Sequence, residues 1–519
     1  INWDTINHLP RGQAYLHYFL TGKQDFSDLP TFKPYFQKPD TIFISSDIPK
    51  EKIPRRSMYQ SDGTTFTWFM EYARSGHPPV SDILASVFNV IFFQQLRLFN
   101  DIDSYRVYSI VLSSVLIGLV FYWVSKVYGR FAGFIACLSL GLYPLFWSEA
   151  HFNNEKDIPE TAFFTFFLFS FWKGILLTNW KWILASGIFF GLALGTKFNI
   201  LFSIFMILPW LLFYFLNNKS NLKFSIALFF APILGFTIFF GSWPYLWADP
   251  IGRIGKVINF YKTIGITENK NLEFLGPFGI NTYPIEWIMY TTLLVILLLA
   301  TIGIISALFR IKKDHDNISL LFLLWLFIPI IRVSLPGATI YGGIRQIMEY
   351  MPALAILAGL GGLEVRNALL VLASKISFPK IIISILIILT FLPITIKLIQ
   401  IHPNENVYFN QLIGGLSGAK ERDIPFWGNS FGAAYRQGVE WLNKNAEKNS
   451  EVVLVFEHHP NIPLIFLRTD LELQNKNRSG YLRLGEYAMT LTYQGSENRS
   501  YFDMYLNRLV NPVYEVNVD

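Results

Sequence analysis

Between two long apolar runs the chain carries HFNNEKDIP, His151 to Pro159, which sets His151, Glu155, Lys156 and Asp157 in one short loop. Ionisable groups this close to hydrocarbon are costly, and a sequence that keeps them there usually has work for them. Other segments carry similar groups: Asp4, His8 and Arg11 in NWDTINHLPRG, His77 in GHPP, Lys197 in GTKFN and Arg345 in YGGIRQ. Each also has a plain reading. Asp4 and Arg11 fit solvated loop charges, His77 a residue capping the next helix, and Lys197 and Arg345 side chains reaching from helix ends to headgroups. Asp157, followed by Ile158 and Pro159, fits a helix start. Brought to one level, the set matches a charged lipid headgroup. Its chemistry would be glycosyl transfer from a lipid-linked phosphosugar. Cations stabilise the charge growing on a departing phosphate, the sugar passes through an oxocarbenium-like state, and a carboxylate takes the proton of the attacking hydroxyl. One carboxylate and two or three cations suffice, and the donor arrives in the membrane, so no nucleotide site is needed.

The elements that must position these groups follow from composition. Of 519 residues, 52% are hydrophobic and 15% charged, against about 25% charged in soluble proteins. Repeated apolar runs account for the deficit. We read ten spans, at 106–126, 130–148, 159–178, 182–196, 198–216, 223–244, 286–310, 318–335, 349–364 and 381–398. Alternate turns hold Lys126 and Arg130, Lys173 and Lys181, Lys219 and Lys223, Arg310, Lys312 and Lys313, then Arg366, Lys375 and Lys380. This positive-inside pattern makes those turns cytoplasmic and sends every candidate site residue to the other face. Basic residues scattered through short loops exclude a nucleic-acid surface, despite the net charge of +6. The single cysteine, Cys137, allows no disulfide within the chain.

The fold expected is a polytopic α-helical membrane protein. It comprises an external first loop with juxtamembrane helices over 1–105, a bundle of about ten helices over 106–398, and an extracytoplasmic α/β or α+β module over 399–519. In that module 438–446 reads as helix and 451–457 as a buried strand. The stretch 82–98, interrupted by Asp82, Asn89, Gln94, Gln95 and Arg97, reads as an interfacial helix along the outer leaflet. Trp243, Tyr245 and Trp247 read as aromatic-belt anchors. The chain opens at Ile1 in a polar segment, and an upstream span or signal anchor is expected before it.

The motifs NWDTINHLPRGQAYL, GHPPV, KDIP, GLALGTKFN, GGIRQIMEYMPALAILAGLG and HPNENVYFNQLIGGLSGA, in this order, resemble the protein O-mannosyltransferase-like branch of the GT-C glycosyltransferases. That branch includes the dolichyl-phosphate-mannose-protein mannosyltransferases and the aminoarabinose transferases, and the tail resembles a bacterial subgroup. The resemblance covers nearly the whole chain and implies a GT-C-like bundle. It also implies an inverting, hexosyltransferase-like enzyme that moves a sugar from a polyprenyl-phosphate donor to an acceptor hydroxyl on protein, lipid or glycan. Carried over by motif, Asp4 is the general base and Asp157 a second acid that organises the site. Lys156 and Arg345 bind the phosphate, with Lys197 and His77 behind them; His151, Glu155 and Arg11 complete the substrate contacts. Thr5 stands where the family's first loop often has a second acid, which counts against protein-mannosyl transfer in particular. Paired acids could serve a divalent metal, although no ligand spacing demands one. Lys-, Ile- and Asn-rich usage suggests an AT-rich bacterial genome, and with the topology the expected location is a bacterial inner (plasma) membrane, with the site and the C-terminal module on the extracytoplasmic face. The alternative is a transporter or flippase of lipid-linked saccharide, which calls for midplane polar residues, broken helices or inverted repeats. The spans are nearly free of charge in their middles, which favours the transferase.

Overall fold

The computed structural model describes residues 5–24, 33–34, 56–57, 76–217, 225–266, 274–373, 379–428, 435–454, 466–468, 470–473, 486–490 and 510–518. The apolar runs fold into helices because a backbone surrounded by hydrocarbon must satisfy its own polar groups. Six helices among the described residues are long and apolar enough to cross a membrane: Asp101–Tyr128, Phe198–Asn217, Leu294–Asp314, Asn317–Ser334, Arg345–Leu372 and Pro379–Ile401. A seventh crossing arises if Arg130–Gly141 and Pro144–Phe152, bent by 62°, count as one span. The bend falls where Pro144 removes a backbone donor. The remaining expected stretches lie on the 20-residue helix Asp157–Leu176 and on the shorter apolar helices Trp180–Leu194 and Ala227–Ser242. The expected run 286–310 is broken: Tyr283–Thr291 and Leu294–Asp314 are separate helices. At the break, Thr292 Oγ1 pairs with the Tyr143 hydroxyl at 2.6 Å.

Local signals set the ends. Asn100 Oδ1 accepts from the Asp103 amide at 2.9 Å and starts the Asp101–Tyr128 helix, and Gly129, at φ 96°, stops it. The Asp157–Leu176 helix is apolar on every side and runs through the middle of the bundle, with Ile158, Ala162, Phe164 and Leu168 buried. Leu294–Asp314 and Met351–Leu372 meet backbone to backbone: a Cβ at Gly303 would lie 1.9 Å from the Leu357 carbonyl oxygen, and one at Gly361 1.8 Å from that of Leu299. Only small residues allow that approach.

The helices alternate in direction, so their ends sort to two levels. At one level Lys173 lies 4.0 Å over the Trp182 ring, Arg366 packs on Phe131, and Arg310 pairs with Glu364 at 2.8 Å. The described candidate site residues Arg11, His77, Glu155, Lys156, Asp157, Lys197 and Arg345 occupy the other.

Two expectations are revised. The 82–98 stretch forms the helix Val80–Asn89 with a π-helical continuation Val90–Gln95. Its polar residues turn inward: Ser81, Asp82, Ser86 and Asn89 are buried. They face Thr5–Thr21, whose Gly12 leaves no room for a Cβ beside the Asp82 carbonyl. From sequence these polar residues read as interruptions of an interfacial helix, whereas in the fold they are satisfied inside the protein. Trp243 and Tyr245 are likewise buried, and only Trp247 is exposed, so protein contacts hold the first two.

The tail begins inside the bundle. Asn410 donates to the carbonyls of Met289 and Thr292, both at 2.6 Å, and so satisfies the backbone freed by the helix break. Farther on, helix Tyr435–Asn445 packs on a parallel sheet whose strands run in the order Glu472–Leu473, Glu451–Leu454, Tyr487–Met489. Tyr435, Val439, Leu442 and Val452 form a second core there. Arg436 binds Asp103 through both terminal nitrogens, at 2.8 and 3.1 Å, and ties this module to the first long helix of the bundle.

Candidate active site

Asp157 stands at the centre of the polar level. The turn before it is built by Asn153, whose Oδ1 accepts from the amides of Lys156 and Asp157 at 3.4 and 3.3 Å. The Asn153 Nδ2 donates to Asp157 Oδ2 at 2.8 Å. Pro159, inside the first turn, needs no amide partner there. The carboxylate thus sits at a helix N-terminus, which favours negative charge. Lys197 Nζ donates to Asp157 Oδ1 at 2.7 Å and to the Gln346 carbonyl at 2.8 Å. Arg345 donates to Asp157 Oδ2 at 3.0 Å. Burial pushes the Asp157 carboxyl up, yet Lys197, Arg345 and Lys156 outweigh it and hold the group below the usual carboxylate range. Asp157 is therefore ionised at neutral pH.

A second centre is organised by Asp82. His8 Nδ1 lies 2.8 Å from Asp82 Oδ1, Arg11 Nε donates to Oδ2 at 2.7 Å, and a second Arg11 nitrogen binds the same oxygen. Arg11 also donates to the His77 carbonyl at 2.7 Å, and His77 Nδ1 pairs with the Tyr261 hydroxyl at 2.7 Å. Two bonds link the centres: Thr5 Oγ1 donates to Glu155 Oε1 at 2.8 Å, and Ser81 Oγ to the Asn154 carbonyl at 2.7 Å. Arg11, His77, Glu155, Lys156, Asp157, Lys197 and Arg345 therefore share one level. His151 is placed differently: its Nδ1 meets the Trp147 carbonyl at 2.7 Å, one turn back on its own helix, and its ring packs on Trp147. Asp4 lies outside the described residues, one position before Thr5.

Several members of the site were not picked out from sequence. From its own segment Asp82 reads as an interruption in an interfacial helix. Glu349 accepts from Asn199 at 3.1 Å and lies 3.3 Å from Arg332. Glu160 stands one turn beyond Asp157 on the same helix, fully buried. That spacing is visible in KDIPE, but the charged groups Glu349, Lys197 and Arg332 near it come from distant parts of the chain. Among the described residues no group of three or more His, Cys, Asp or Glu side chains is placed to hold a metal ion.

Because Asp82 holds the buried guanidinium of Arg11 and the buried ring of His8, its charge matters to stability. Asp82→Asn should cost about 1–3 kcal/mol, read as a lower unfolding midpoint in detergent. An unchanged midpoint would remove Asp82 as the organiser of this corner.

Residues 76–247 match the family model of the dolichyl-phosphate-mannose-protein mannosyltransferases. The matched segment holds His77, Asp82, the whole 153–157 loop and Lys197. No curated protein matches the chain by sequence. By shape it is similar to ArnT from Cupriavidus metallidurans in the apo state, at 14% identity over 90% of this chain and 80% of that one, with a TM-score of 0.46. It is also similar to the Archaeoglobus fulgidus oligosaccharyltransferase in the apo form, at 13% identity over 76% of this chain and 56% of that one, with a TM-score of 0.41. For archaeal oligosaccharyltransferase AglB from Archaeoglobus fulgidus, in complex with an inhibitory peptide and a dolichol-phosphate, the identity is 14%, the coverage 62% and 47%, and the TM-score 0.39. The chain thus spans about half the length of the two oligosaccharyltransferase chains.

Proposed function

We propose that this protein is an inverting glycosyltransferase that moves a sugar from a polyprenyl-phosphate donor to an acceptor hydroxyl on a protein, lipid or glycan. Its site and tail module face the extracytoplasmic side of a bacterial inner membrane. The observation that carries this reading is the Lys197–Asp157–Arg345 arrangement, in which two cations from distant segments converge on one buried carboxylate. Such cations are already stripped of most water, and a phosphate arriving beside Asp157 meets them in a weakly screened environment. The guanidinium of Arg345 offers a planar fork suited to phosphate oxygens, and Lys156 and Lys197 add point charges. The basic turns at the opposite level of the bundle support the orientation.

In the reaction the acceptor oxygen attacks the anomeric carbon from the face opposite the phosphate. The bond from that carbon to the phosphate oxygen breaks, and its electron pair stays on the phosphate. The acceptor's proton passes to Asp4. A single displacement of this kind inverts the anomeric centre.

The test supplies labelled polyprenyl-phosphate sugars to the protein in bilayers and follows whether label leaves the lipid. Release by the wild type is expected. Lys156→Ala and Arg345→Ala should each weaken donor binding and turnover together, by about tenfold or more for loss of a charged hydrogen bond. Silence of both variants would remove the phosphate site. Movement of intact lipid-linked sugar across vesicles, without release, would make the protein a flippase instead.

A further inference from the structure

The level of the bundle opposite the candidate site holds a cavity that the proposed reaction does not use. It has a volume of about 470 Å³ and lies between the last turns of Leu294–Asp314 and the Glu364 turn of Met351–Leu372. That volume is in the range of sites for small ligands. Four charged side chains line it: Arg310, Lys313, Asp314 and Glu364. Arg310 is joined to Glu364 at 2.8 Å, but this contact uses one side of the carboxylate. Both Ser306 Oγ and the Arg310 guanidinium donate to Glu364 Oε1. Glu364 Oε2, the Asp314 carboxylate and the Lys313 ammonium have no hydrogen-bond or ion-pair partner among the described residues.

The charge at this place balances. Two cations and two anions line the cavity, Lys312 and Asp316 beside it in the chain cancel each other, and Arg366 is turned onto the Phe131 ring. A plain anion or a plain cation gains little from such a sum. A zwitterion can meet both signs at once.

Toward the middle of the membrane the same helix presents an apolar edge. Leu298, Ile302, Ile305 and Phe309 recur at helical spacing on one face and are exposed, and Lys313 continues that face. At about 1.5 Å per residue the stripe spans about 16 Å, close to one leaflet's share of a hydrocarbon core about 30 Å thick. A phospholipid has the same layout, with an acyl chain in hydrocarbon, then a phosphate, then a charged tip.

We propose that this cavity binds a bilayer phospholipid whose headgroup carries a primary ammonium. The phosphate lies against Lys313 and Arg310, the ammonium against Glu364 Oε2 and Asp314, and an acyl chain along the 298–309 stripe. A primary ammonium has N–H groups to give to these carboxylates, and a quaternary one has none. Sites for quaternary ammonium enclose it in aromatic rings, and Phe309 is the one aromatic residue lining this cavity. The assignment does not depend on the donor chemistry proposed above.

The test titrates the whole protein in detergent with phosphatidylethanolamine, phosphatidylcholine and phosphatidylglycerol of identical acyl chains, and counts retained lipid by native mass spectrometry. Wild type should hold phosphatidylethanolamine about fivefold more tightly than phosphatidylcholine, the size of a partly exposed ionic contact. Asp314→Asn and Glu364→Gln should each narrow that ratio, and the double variant should bring it to about one. Asp314 has no partner among the described residues, so its substitution reads the headgroup contact without breaking the Arg310–Glu364 pair. Lys313→Gln should weaken both lipids alike and leave the ratio unchanged, because both carry the phosphate. Equal retention of phosphatidylethanolamine and phosphatidylcholine by wild type would overturn the proposal, as would a wild-type ratio that persists in Asp314→Asn. Preference for phosphatidylglycerol over the other two would overturn it as well, and would make the cavity a site for anionic lipid.

Discussion

Replacing Asp4 by asparagine should lower sugar transfer by about 10²–10⁴-fold, the usual contribution of a general base, while donor binding stays close to wild type. Asparagine keeps the volume and a polar oxygen but cannot accept the acceptor's proton. The next residue, Thr5, is bonded to Glu155 in the KDIP loop, and one turn later His8 and Arg11 are clamped to Asp82. The measurement compares release of label from the lipid with binding of the donor, in wild type and Asp4→Asn side by side. Unchanged turnover would remove Asp4 from the role of base. Loss of binding and turnover in equal measure would make it a donor ligand instead.

Asp157→Ala carries the second large effect, on stability. The carboxylate is 1% exposed, and the two cations it joins are 11% and 12% exposed. Removing one partner from a buried ionic cluster leaves charges with no compensation, at a cost of about 3–5 kcal/mol. The unfolding midpoint in detergent should fall accordingly, and Asp157→Asn should lie between the alanine variant and wild type. A double-mutant cycle with Lys197→Ala separates this contact from other losses, since the second substitution should cost much less once Asp157 is gone. Full additivity of the two would mean that Lys197 and Asp157 are not energetically joined.

Much of this organisation was legible in the chain. Apolar runs gave the helices, alternate basic turns separated the two levels, and HFNNEKDIP announced a polar centre before any fold was known. The parts that stayed hidden are those whose meaning depends on a distant partner. Asp82 is satisfied by Arg11, 71 positions away, so within its own segment it looked like a flaw in an apolar helix. Asn199 and Glu349 meet across 150 positions, and neither carries a local pattern that foretells the other. The broken run near Thr292 was hidden for the same reason, because the backbone groups freed there are satisfied by Asn410, which local periodicity cannot foresee. His151 shows the converse: it shares a loop with the site in sequence, but a single helical turn directs it to Trp147.

The contact of Gly303 with Leu357 and of Gly361 with Leu299 also bears on how the bundle can move. Helices separated by interleaved side chains can shift along one another by small rotamer changes, but two backbones in direct touch have nothing between them to yield. Leu294–Asp314 and Met351–Leu372 are therefore free to pivot at this crossing and not to slide. A pivot works as a lever: spreading the ends that carry Arg345 draws together the opposite ends, where Arg310 and Glu364 are paired. A bulky side chain at either glycine would shift the fulcrum and so retune the distance between Arg345 and Asp157 from well inside the membrane.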